Sequence, residues 1–224
     1  MIRHLRADQV RANLERVRGE IAAQAPGREV QVLAAVKYVA AEELGVLAEA
    51  GVHLLGENRA QDLIAKAEAD PGRFTWDFIG QLQSRKVKIL LPWIRYIHSV
   101  ASDSALSQLA RHGTAETRVL IEVNVAGEEG KGGIAPGELP GFIERCPVEV
   151  IGLTTMPPLA ASPEQSRPYF AALRELAERH GLPELSMGTS QDYLVAVQEG
   201  ATIVRLGTVL YAASVSSDHP GEAS

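Results

Sequence analysis

Val30-Gln31-Val32-Leu33-Ala34-Ala35-Val36-Lys37 is an apolar, largely β-branched run that stops at a lysine. It reads as a strand over 30–36. Working outward, shorter runs of the same kind recur at 52–55, 75–79, 96–99, 117–123, 148–153, 184–187 and 202–205. The third, fourth and seventh carry the weakest individual signal. Helical patterns fill the gaps at about 40–50, 58–69, 83–91, 102–112, 136–145, 163–180 and 191–199. A further helix precedes the first strand over 8–24, with Val10, Leu14, Val17 and Ile21 at spacings of three and four and Asp8 as its expected cap.

The punctuation agrees. Gly51, Gly113, Gly181 and Gly200 each stand just before a strand, where a left-handed C′ glycine ends a helix. Ser162-Pro163-Glu164-Gln165 reads as a capping box with proline at the first helical position. Eight strands alternating with helices imply a parallel sheet with helical crossovers. The expected fold is α/β, a single (β/α)8 TIM barrel with an extra N-terminal helix, over residues 1–213. An open doubly wound sheet is the alternative. The polar stretch 214–224 is expected to be a disordered tail.

Composition narrows the function classes. Twenty-two basic and 28 acidic side chains leave a formal charge of −6 over 224 residues, unlike the basic face that nucleic acid requires. No apolar run approaches the roughly 20 residues that span a bilayer. Met1-Ile2-Arg3-His4-Leu5-Arg6 leads into a charged helix and lacks the apolar core of a signal peptide. Cys146 is the only cysteine, so intrachain disulfides and cysteine metal clusters are excluded and a reducing cytoplasm is the expected compartment.

Gly130-Lys131-Gly132-Gly133-Ile134-Ala135 fits the loose dinucleotide fingerprint, but a true one follows the first strand and opens a helix. It reads as a loop. Lys37 is more telling. It ends the first strand, and in a parallel barrel that rim carries the active site. A lysine after an apolar strand is expected to be partly desolvated, favouring the free amine that condenses with an aldehyde; a rim lysine paired with Glu57 is the plain reading. Ser190 follows the seventh strand, and Gly207 and Thr208 follow the eighth. Barrels frequently bind phosphate in those two loops, although Ser190 also reads as a helix cap and Gly207 as a turn. Arg205 ends strand eight, as a rim ion pair or a donor to a ligand. Asn58 follows strand two, as a cap for the next helix or a ligand for a ring hydroxyl.

The ordered set Val36-Lys37-Tyr38, Gly56-Glu57-Asn58, Phe78-Ile79-Gly80, Ile97-His98-Ser99-Val100, the 123–133 stretch, Gly152-Leu153-Thr154-Thr155-Met156-Pro157, Ser186-Met187-Gly188 and Val204-Arg205-Leu206-Gly207-Thr208 resembles the pyridoxal phosphate homeostasis protein family. Members of that family look like the barrel domain of alanine racemase standing alone. The resemblance implies pyridoxal 5′-phosphate (PLP) as cofactor, with Lys37 as the Schiff-base lysine. It also implies Ser190, Gly207 and Thr208 as phosphate ligands, Arg205 as partner of the pyridine nitrogen, and Asn58 near the cofactor. Facing arginine instead of a carboxylate, the ring would be a weak electron sink.

The implied role is a non-catalytic carrier, expected to be a cytoplasmic monomer that meets PLP-dependent enzymes transiently and binds neither nucleic acid nor membrane. A PLP-dependent racemase or decarboxylase and a Schiff-base aldolase acting on a sugar phosphate are the alternatives. The chain departs from the family pattern at Val36, where Ser or Thr is usual, and at Asp77, where His is usual. Thr154, Thr189, Leu194 and Ala212 depart as well.

Overall fold

A computed structural model describes residues 2–159 and 161–212. The expected tail, 214–224, lies outside the described residues. The chain begins with α1 (Ala7–Gln24) and β1 (Gln31–Ala35), followed by α2 (Leu44–Glu49), β2 (Leu54–Glu57), α3 (Ala60–Ala69) and β3 (Thr75–Phe78). Then come α4 (Val87–Leu90), β4 (Tyr96–Val100), α5 (Asp103–His112), β5 (Arg118–Glu122), α6 (Leu139–Arg145) and β6 (Glu149–Thr154). The chain continues through α7 (Arg167–Arg179), β7 (Glu184–Thr189), α8 (Tyr193–Gln198), β8 (Ile203–Leu206) and α9 (Thr208–Tyr211). Short 3-10 turns lead into α2, α4, α6 and α7.

The eight strands pair in sequence order, all parallel, and β8 closes on β1 with Gln31 opposite Ile203 and Leu33 opposite Arg205. That closure sets the open doubly wound sheet aside. All eight expected strands form, and β2 lies two residues later than its apolar run suggests, so Glu57 is its last residue.

Two local expectations are corrected. Asp8 does not cap α1: the helix starts at Ala7, and Asp8 in its first turn pairs with Arg6 at 2.6 Å. Gly51, Gly181 and Gly200 have positive φ as expected, but Gly113 is extended at φ −69°. Its requirement is close approach, because a Cβ there would stand 2.6 Å from the Leu109 carbonyl oxygen and 2.7 Å from Val148 Cγ1. The expected capping box forms, with Pro163 opening the 3-10 turn Pro163–Ser166 that leads into α7, and Gln165 Oε1 accepts from Ala161 N at 2.8 Å and Ser162 N at 3.4 Å.

The apolar core lies between the outer wall of the barrel and the helices. Val10, Leu14, Val17 and Ile21 of α1 are all buried in it. Each contributes about 1.5–3 kcal/mol as an upper bound, which holds α1 against the barrel. The lumen is different. Asp77, His98, Ser186 and Arg205 are buried polar residues on β3, β4, β7 and β8. The His98–Ser186 bond joins β4 to β7 and the Arg205–Thr154 bond joins β8 to β6, strands that are not neighbours in the sheet, so these two cross the barrel's interior. Such interiors usually hold branched apolar side chains.

Candidate functional site

A cavity of about 630 Å³ opens where the C-terminal ends of the strands meet their loops. Lys37, Asn58, Ser190, Arg205, Gly207 and Thr208 all line it. They come from four different strand ends, β1, β2, β7 and β8, and converge because every strand of a parallel barrel points the same way.

Lys37 is exposed, with its Nζ 4.8 Å from the centre of the Tyr38 ring. The expected desolvation is therefore not found. Glu57 is not its partner either, being fully buried and paired with Lys66 of α3 at 2.6 Å. The Lys66 ammonium also donates to the Val36 carbonyl at 2.8 Å, and Glu57 Oε1 accepts from Asn58 N at 2.6 Å. One buried ion pair thus fixes the backbone on both sides of the cavity floor, beside Lys37 and at Asn58. Asn58 is no helix cap: α3 starts at Ala60 after Arg59, and no side chain caps it.

Ser190 caps no helix, since α8 begins at Tyr193. Its Oγ accepts from Gly207 N at 3.1 Å and Val209 N at 3.3 Å. The loop after β7 is thereby tied to the loop after β8, and two backbone donors point at one oxygen. Asp192 holds the first of these loops by accepting from Thr189 N at 2.7 Å.

Arg205 forms no ion pair among the described residues. Its Nη1 donates to Thr154 Oγ1 (2.5 Å), Ser186 O (2.8 Å) and Ser186 Oγ (2.9 Å). Its Nη2 donates to Thr155 O (2.9 Å) and contacts Met156 Sδ (2.9 Å). Burial pulls its pKa down to about 10, against the opposing pull of Glu122 and Asp192. It remains a cation at neutral pH.

One acidic lining residue escaped the sequence reading. Glu122, half-buried at the end of β5, faces the cavity, and burial raises its pKa. The glycine-rich loop passes over it, with the position of a Gly132 Cβ 3.4 Å from both carboxylate oxygens. That loop follows β5, and Ile134 bridges back to Val123, which is no dinucleotide-binding turn. Tyr211 lines the cavity and donates to Ala35 O at 3.3 Å. Tyr38, next to Lys37, also lines the cavity, whereas the Tyr193 hydroxyl turns away to donate to Glu20 of α1.

No group of three or more His, Cys, Asp or Glu among the described residues could hold a metal ion. No helix among them is long and apolar enough to cross a membrane.

Fold and mouth define a class: a parallel eight-stranded barrel that presents a primary amine, a buried guanidinium and a hydroxyl–amide cluster to one opening. Residues 5–215 match the family model described as alanine racemase, N-terminal domain. A pyridoxal phosphate homeostasis protein of Aquifex aeolicus is 42% identical over 195 residues, covering 81% of this chain and 86% of its own. One from Pseudomonas aeruginosa is 36% identical over 216 residues, covering 90% and 94%. PipY of Synechococcus elongatus, solved with PLP bound, superposes with a TM-score of 0.77 at 31% identity, covering 91% of this chain and all of that one. The chain belongs to the alanine racemase N-terminal domain family and, within it, to the pyridoxal phosphate homeostasis proteins.

Proposed function

We propose that the mouth cavity binds PLP, that Lys37 holds it as a reversible Schiff base, and that the protein serves PLP homeostasis as a carrier, not as an enzyme. One observation carries this reading: an amine, a guanidinium and a cluster of anion donors, drawn from the ends of β1, β7 and β8, line a single cavity of about 630 Å³. That volume lies within the ordinary range for small-molecule sites. The names of the relatives and the PLP in PipY support it.

When bound, PLP supplies an aldehyde that condenses with a primary amine, releasing water, and a second amine reverses the bond. Lys37 is exposed, which leaves its nitrogen open both to the aldehyde and to a competing amine. The Gly207 and Val209 amides, now donating to Ser190 Oγ, are the donors a phosphate takes, with the Ser190 and Thr208 hydroxyls beside them. Asn58 lines the mouth from the end of β2. Arg205 has both Nη groups committed to protein acceptors, so Nε–H is its donor for the ring nitrogen. A guanidinium donates without releasing its proton, which leaves the ring a weak electron sink and disfavours racemisation and decarboxylation. On this reading the protein works in the cytoplasm as a monomer, meets PLP-dependent enzymes transiently, and takes neither nucleic acid nor membrane as partner.

The test mixes the purified chain with PLP. Once free PLP is removed by gel filtration, the expected result is a yellow protein whose colour borohydride abolishes; a colourless protein overturns the reading. Amino-acid racemisation or decarboxylation at roughly 1 per second or more would overturn the carrier assignment.

A further inference from the structure

Asp77, a departure from the family pattern, sits at the foot of a buried chain that ends at Arg205. Its carboxylate takes a forked pair from Arg95, at 3.0 Å to Oδ1 and 2.6 Å to Oδ2. His98 Nε2 stands 3.1 Å from Asp77 Oδ2, and His98 Nδ1 stands 2.8 Å from Ser186 Oγ. Ser186 Oγ is 2.9 Å from Arg205 Nη1. Asp77, His98 and Ser186 are at most 1% exposed, and Arg205 is 8% exposed.

The proton positions follow from the chemistry of the ends. Arg205 can only donate, so Ser186 Oγ accepts from it. An ionised Asp77 can only accept, so His98 Nε2 carries a proton. Burial disfavours charge on both partners. At Asp77 it is outweighed by hydrogen bonds from His98 and Arg95, which hold the carboxylate below its usual range. At His98 burial wins over the Asp77 contact and pushes the imidazole below its usual value, so the ring is neutral. Neutral His98 has a lone pair on Nδ1, and Ser186 donates to it. Every donor then points the same way, from Arg205 through Ser186 and His98 to Asp77. Other charged groups facing the chain are Glu122 and Asp192 near Arg205, and Glu184 near Arg95. None of them makes a hydrogen bond or ion pair with His98 or Ser186 among the described residues.

The Arg95 fork by itself would satisfy Asp77. A buried histidine and serine spanning the lumen are costly unless fully paired, and here they reach the Arg205 guanidinium that lines the cavity. We propose that Asp77 is a positioning residue for Arg205: acting through His98 and Ser186, it orders the guanidinium's donors and thereby sets how Arg205 meets the ring nitrogen of PLP. This inference rests on the PLP reading above.

The test has two readouts on the full chain. Without cofactor, ¹⁵N NMR of His98 should show the Nε2–H tautomer in the native chain and its loss in Asp77→Asn. With PLP, Asp77→Asn and Ser186→Ala should each shift the absorption maximum and weaken binding about tenfold. Ser186→Ala leaves the Asp77–Arg95 pair in place, so it remains informative if Asp77→Asn fails to fold. A native Nδ1–H tautomer, or Ser186→Ala with unaltered spectrum and affinity, overturns the relay while the PLP reading stands. Failure of the native chain to take up PLP overturns both.

Discussion

Replacing Lys66 by methionine isolates the buried pair beneath the cavity. The side chains of Lys66 and Glu57 are 7% and 0% exposed, and their charges lie 2.6 Å apart. Methionine keeps most of the apolar stem but leaves the Glu57 carboxylate buried without a countercharge and the Val36 carbonyl without its 2.8 Å donor. Breaking such a pair costs about 3–5 kcal/mol, most of it from the stranded charge. A domain stable by about 5–15 kcal/mol survives that loss with a lowered midpoint. Adding Glu57→Gln removes the second charge, and the neutral amide still accepts from Asn58. The double variant should therefore recover about 2 kcal/mol relative to Lys66→Met alone. Urea unfolding at neutral pH, with m unchanged between variants, measures both steps. A single-variant cost below about 1 kcal/mol, or a double variant equal to the sum of the singles, would refute the reasoning.

Three further outcomes are expected. His98 is neutral when folded, with its pKa pushed below the free value of 6.5, so the unfolded chain takes up a proton that the folded one refuses. Its contribution is complete above about pH 6.5 and falls by about 1.4 kcal/mol per unit below that until the folded pKa is reached; stability measured from pH 7 to 5 should show the slope, and a flat profile would contradict it. Gly80→Ala places a Cβ 2.0 Å from the Asn58 carbonyl oxygen, which forces backbone apart, so about 1–3 kcal/mol of stability and some PLP affinity should be lost together. Arg205→Ala should weaken PLP binding at least about tenfold and alter its spectrum, and Arg205→Lys should not restore either, because an ammonium lacks the fork that reaches Ser186, Thr154 and Thr155.

The barrel is legible in the sequence because strands buried on both faces carry continuous apolar runs. The three faintest runs explain themselves. On β3, β4 and β7 the lumen side carries Asp77, His98 and Ser186, and these polar residues interrupt the pattern. The mouth residues are equally legible, since following a parallel strand is enough to put Lys37, Asn58, Ser190 and Gly207 on one rim. What hid was long-range. His98 and Ser186 are 88 residues apart, and no spacing rule joins them. Lys66 sits among ordinary helix residues of α3, with nothing local to mark it as buried beneath the site. Asp8 looked like a cap because its residue type suits one, yet α1 starts a residue before it.

The direct measurement is mass spectrometry of the PLP-loaded chain after borohydride reduction and digestion. The account predicts a single pyridoxyl group on Lys37, absent from Lys37→Ala, which keeps the fold because the side chain stands outside the core. An adduct on another lysine, or none at all, would contradict it.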